Sequence, residues 1–98
     1  MSESGNNFKI LYHRLVMLDD IPRLSATWKK NARRAIESKL ITRPDMYGKP
    51  LRRSLKNYRK LRIGDYRVIF KIESDVVKIL IIKHRSAVYS IAERRVKD

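Results

Sequence analysis

A chain of 98 residues holds one domain with a modest core and little more. It has no cysteine, which excludes disulfides and thiolate metal sites, and no apolar run approaches the roughly 18 residues needed to span a bilayer. Its 24 Lys and Arg against 10 Asp and Glu leave a formal charge of +14, a field that favours nucleic acid, an anionic membrane surface or an acidic protein. The excess is uneven. Residues 1–48 carry nine basic and five acidic side chains, residues 49–98 fifteen and five, which argues for a built surface rather than for solubility alone.

Residues 1–7, "MSESGNN", lack the basic start and apolar block of a signal peptide and read as a short disordered lead to a single domain over residues 8–95. The simplest location is the cytoplasm. Phe8–His13 is strand-like, with Ile10 and Tyr12 alternating against Lys9 and Leu11. Leu15, Leu18 and Ile21 then sit at helical spacing until Pro22 ends or redirects that short helix. A second helix is expected from an N-cap at Ser25, with Trp28, Ala32, Ala35, Ile36 and Leu40 on one face. Thr42–Pro50 contains two prolines and a glycine and reads as a loop.

The second half reads as a β-meander. Strands over 58–63 and 66–72 flank a two-residue Gly64-Asp65 turn. Glu73–Asp75 turns into Val76–Lys83, which is apolar on both faces as a central strand would be. Ser86–Arg95 closes the chain as a short helix. The order β-α-α-β-β-β-α, with a mainly antiparallel sheet and helices on one face, is a two-layer α+β domain.

Strand alternation then sorts the charges. Leu61 and Ile63, with Tyr66, Val68 and Phe70, must face the helices, so Lys60, Arg62 and Arg67 share the other face. One cation per strand is ordinary edge protection. Three on one face, followed by Lys83, His84 and Arg85 at the end of the next strand, form a cationic patch. Cleaving RNA without a metal needs a base for the 2′-OH, cations for the phosphorane and an acid for the leaving 5′-oxygen. A lysine serves as base when neighbouring cations disfavour its charged form, and Lys60 among Arg62, Arg67 and Arg85 meets that condition. Arg67 and Arg85 suit phosphate bidentately, and Tyr89 can stack on a base or orient the 2′-OH. His84 could assist from beside Arg85, whereas His13 reads as structural. Asp19-Asp20 reads as a lone acidic pair, and nothing completes a metal site.

"YGKPLRRSLKNYRKLRIGDYRVIFKI" together with "KHRSAVY" resembles the RelE/ParE toxin superfamily of type II toxin–antitoxin modules, in its RelE/StbE branch, over roughly residues 8–95. The resemblance implies a microbial-RNase-like α+β fold. For RelE-type members it implies ribosome-dependent mRNA cleavage in the A site by 2′-OH attack, with no cofactor or metal. Carried over by position, it makes Lys60, Arg67, Arg85 and Tyr89 catalytic and Arg59 and Arg62 RNA contacts, and the patch at the strand end adds Lys83 and His84 to the expected RNA contacts. It also implies a cognate antitoxin with an acidic or amphipathic segment. ParE-type members share the fold but poison DNA gyrase, and a catalytically inactive nucleic-acid binder is a third possibility.

Overall fold

The computed structural model describes residues 7–97; the expected lead over 1–7 therefore lies outside the described residues save for Asn7. Among the described residues five strands form one sheet in the order β1-β5-β4-β3-β2. They are β1 (Lys9–Tyr12), β2 (Lys49–Pro50), β3 (Arg59–Ile63), β4 (Tyr66–Glu73) and β5 (Val76–His84). The three long strands run antiparallel, and β1 lies parallel to β5 with Lys9 opposite Val76. The two-residue turn between β3 and β4 is where expected. Gly64 has φ 58°, and a Cβ there would stand 2.6 Å from Trp28 Cη2, so both backbone and packing select glycine.

The helices of the first half cover one face of the sheet, as the two-layer expectation has it. A π-wound turn over Val16–Asp20 passes into a 3-10 turn at Ile21–Arg23, which accommodates Pro22. Helix α1 (Ala26–Ala35) starts at the expected cap: the Ser25 hydroxyl accepts the Trp28 N–H at 3.3 Å. It runs on into a wider turn over Ile36–Leu40. Val16, Leu24, Ile36 and Leu40 from this layer meet Leu61, Val68, Phe70, Val77, Ile79 and Ile82 from the sheet in the main core.

Two features differ from the expectation. Thr42–Pro50 is not all loop. Pro44–Tyr47 forms a single helical turn, α2, with proline in the first turn where its missing N–H costs nothing. Lys49 and Pro50 then pair with Lys60 and Arg59 as an edge strand, the one place in a sheet that tolerates proline. The last helix, α3 (Val88–Val96), departs from the helix layer. Its Val88 and Ala92 pack on Leu55, Ile69, Leu80 and Ile81. Ile69 alternates with Val68 and Phe70, so this second cluster lies on the opposite face. A bulge enlarges this cluster. Ile69 and Phe70 face Ile81 and Ile79, leaving Leu80 as an extra residue, which gives that face an apolar floor.

Candidate nucleic-acid interface

Helix α3 lies over part of the face that carries the hairpin cations and leaves the β3 side open. Lys60 pairs across from Ile69, and Arg62 from Arg67, so these three cations do share a face. The partly buried Tyr89 on α3 brings its ring centroid to 5.8 Å from Lys60 Nζ. Arg67 is only 7 % exposed. Its Nη1 donates to the carbonyls of Gly64 and Tyr66, both at 2.8 Å, and the rest of the guanidinium has no hydrogen bond among the described residues. The β3–β4 turn therefore orients Arg67 through its own backbone. Arg85 reaches the same turn: its N–H donates to the Asp65 carbonyl at 2.8 Å, and its Nε is 4.0 Å from the Asp65 carboxylate, with the side chain largely exposed. Arg62, Arg67 and Arg85 thus gather around Gly64-Asp65, with Lys60 and Tyr89 further down the strand.

Three other residues of the expected set are placed differently. Arg59 sits opposite Phe70, on the face of the main core, and its Nη1 donates to the Asp45 and Gly48 carbonyls at 3.2 and 2.8 Å. It holds α2 against the sheet. His84 pairs with Tyr66 and meets its ring edge-on at 5.6 Å, next to Trp28, so alternation puts it on the face away from Lys60. Its Nδ1 lies 2.9 Å from the Ser86 hydroxyl. Lys83 is on the right face but is occupied, with Nζ at 2.9 Å from Asp19 and 3.1 Å from Asp20. The continuous run expected from Lys83, His84 and Arg85 is thereby reduced to Arg85. His13, read as structural, accepts the Leu15 N–H at 3.1 Å and so caps the turn that follows β1.

Asp19 and Asp20 are not a lone acidic pair. Asp20 is 1 % exposed and accepts two 2.7 Å bonds from the buried Arg95 guanidinium, with the Ile82 N–H added at 2.9 Å. Arg95 Nη1 also donates to Leu80 at the bulge, at 3.1 Å. The C-terminal helix is thereby tied to the first helical segment, and Tyr89 is held by the same helix. The hydrogen bond from Arg23, then that from Lys83, lowers the Asp19 carboxyl to about 2. Position 20 gives no sign in sequence that its partner is at position 95. Among the described residues no three His, Asp or Glu side chains gather closely enough to hold a metal ion.

The family described as the ParE toxin of the type II toxin–antitoxin system, parDE, matches residues 7–89. The chain belongs to that family of toxins. No curated protein sequence matches the toxin significantly. Its fold is shared with solved structures of the RelE/ParE superfamily. One is the toxin–antitoxin complex RelBE2 from Mycobacterium tuberculosis, with TM-score 0.75, 24% identity, 87% of this chain covered and 99% of that one. Another is the YoeB-YefM complex from Staphylococcus aureus, with TM-score 0.65, 17% identity, and 79% and 95% covered. YafQ from E. coli strain BL21(DE3) has TM-score 0.55, 19% identity, and 84% and 98% covered. The superfamily expected from the hairpin and the C-terminal motif is the one found.

Proposed function

We propose that this toxin arrests translation by cutting mRNA in the ribosomal A site. The observation that carries this reading is the approach of Lys60 Nζ to the Tyr89 ring, 5.8 Å from its centroid, on the face where Arg62 and Arg67 pair. Lys60 takes the proton of the 2′-OH. The 2′-oxygen attacks phosphorus, the P–O5′ bond breaks, the leaving 5′-oxygen takes a proton from solvent, and a 2′,3′-cyclic phosphate and a 5′-hydroxyl result. Arg67, pre-oriented by two backbone carbonyls, and the exposed Arg85 meet the charge that grows on the phosphorane. Tyr89 stacks on the base next to the cut or orients its 2′-OH. Arg62 holds the neighbouring backbone. Arg59 and His84, on the other face, are left out of this site.

The partner is a cognate antitoxin, an acidic or amphipathic segment lying along the helices and the sheet edge. A groove of 310 Å³ between β1 and α1, lined by Tyr12, Met17, Ile21, Leu24, Ala32 and Ile36, offers the apolar half of such a contact. Lys29 and Arg33 at the same groove, with Glu37 beside them, leave it net positive for an acidic partner. No helix among the described residues is long and apolar enough to cross a membrane. The proposed action on translating ribosomes goes with a cytoplasmic location.

Primer extension on translated mRNA, after induced expression, tests the proposal. New 5′ ends in phase with codons are expected from the parent and not from Lys60→Ala. Their absence from the parent sinks it. The family match itself supports a second reading, the poisoning of DNA gyrase. Covalent gyrase–DNA complexes and an SOS response, without mRNA cuts, would establish that reading instead.

A further inference from the structure

Arg52, Arg53 and Lys56 lie outside the site described above, in the segment between β2 and β3, and all three are exposed. The segment is tightly held. Leu55 is 5 % exposed in the cluster under α3. Leu51 N–H donates to Tyr58 O at 3.0 Å, Leu55 N–H to Arg52 O at 3.1 Å and Tyr58 N–H to Leu55 O at 2.9 Å. The Ser54 hydroxyl donates to the Glu93 carboxylate of α3 at 2.5 Å. Two non-glycine residues are left-handed, Arg53 at φ 58° and Asn57 at 78°. Such backbone is uncommon, and for arginine it is strained. Among the described residues none of the three cations has a carboxylate within ion-pair distance. Glu93, the acid beside them, is occupied by Ser54. Strain and like-charge repulsion both oppose this arrangement, and among the described residues no ion pair made by the cations offsets them. Strain retained in a fixed segment points to use.

Its position says what use. Leu51, Leu55 and Tyr58 belong to the α3 cluster, so the segment flanks the face that holds Lys60 and Tyr89. β3 starts beside it at Arg59 and ends at Ile63, next to the turn where Arg62, Arg67 and Arg85 gather. At about 3.3 Å per residue the strand separates the two cation groups by roughly 13 Å, too far for one phosphate. Lys60 stands between them.

We propose that Arg52, Arg53 and Lys56 are a second phosphate-binding surface, taking the backbone of single-stranded RNA on the side of Lys60 away from the Gly64-Asp65 turn. The inference rests on the RNA reading of the toxin and adds to it that the strand is gripped on both sides of the reacting phosphate.

The test uses the full toxin and a fluorescein-labelled, 2′-O-methylated RNA oligonucleotide, which lacks the attacking hydroxyl and stays intact. Anisotropy titrations across KCl concentrations give the log–log salt slope. Replacing the three cations with glutamine should make the slope shallower by about 2, at roughly 0.7 per phosphate for a single strand. Replacing Lys30 and Arg34, exposed on α1 and outside the groove, should leave it unchanged. A double variant, Arg52→Gln with Lys56→Gln, spares the strained position and should lose roughly 1.4. Equal slopes for parent and both loop variants, an equal loss in the α1 control, or no binding by the parent would overturn the proposal. The outcomes separate from those of the cleavage assay. A slope loss without mRNA cuts keeps this surface and removes the endonuclease. Cuts without a slope loss do the reverse.

Discussion

Replacing Asp20 with alanine should be the most damaging single change outside the apolar core. Asp20 is 1 % exposed and Arg95 6 %. The substitution removes two 2.7 Å bonds from the Arg95 guanidinium and leaves that charge buried, with its Nε already lacking a partner. It also orphans the Ile82 N–H, which donates to Asp20 at 2.9 Å. Leaving a buried charge unpaired costs about 3–5 kcal/mol, and a lost hydrogen bond at a buried N–H about 1 more, for a total of about 4–6 kcal/mol. A domain of this size has about 5–15 kcal/mol in all, so the variant sits near the folding threshold. Urea unfolding followed by circular dichroism measures the loss. A companion variant, Asp20→Leu with Arg95→Met, removes both buried charges together and should recover most of it, because neither ion then has to be desolvated. Lys83 keeps its 2.9 Å contact with Asp19 in that variant. A loss below about 1 kcal/mol for Asp20→Ala, or a double variant no more stable than the single one, would refute the view that this pair matters through its burial.

Three further outcomes are expected. The Glu73 carboxyl is held at about 2, against 4.5, first by the hydrogen bond from Lys71 and then by that from Lys78. Its contribution to stability is therefore complete above its unfolded value and fades as pH falls from there through about 2; in Lys71→Gln a carboxyl NMR titration should show its midpoint move up towards 4.5. Gly64→Ala should cost about 1–2 kcal/mol in thermal unfolding, since the new Cβ meets Trp28 and the residue must hold a positive φ. Tyr89→Phe and Tyr89→Ala, compared by induced growth arrest and primer extension, divide the ring from its hydroxyl: stacking predicts that phenylalanine retains cutting, orientation of the 2′-OH that it does not.

Much of the scaffold was legible because it follows strict periods. Alternation from Tyr66 to Ile72 and helical spacing from Trp28 to Leu40 both name residues of the main core. Ser25 announced its helix by cap chemistry, and Gly64-Asp65 announced the turn. The same alternation put Lys60, Arg62 and Arg67 together. What it could not give was the partner of each charge. Lys83 has the right face and Asp19 as its neighbour, a pairing across 64 positions that no local pattern encodes. His84 adjoins Arg85 in sequence and points to the other face, because neighbours on a strand always do. The Leu80 bulge was hidden for a related reason. A run as apolar as Ile79–Ile82 has no polar residue to reveal a slip in register, so nothing marked Leu80 as part of the floor under α3.

The parallel pairing of β1 with β5 has a consequence for synthesis. Lys9 leaves the ribosome early but cannot meet Val76 until most of the chain has followed. The bond from Arg95 to Asp20 closes later still, and α3 carries Tyr89 into place in the same stretch. A nascent toxin therefore has Lys60 and Arg67 well before α3 brings Tyr89 to them. By topology alone, the proposed site stays unassembled until residue 95 has been made.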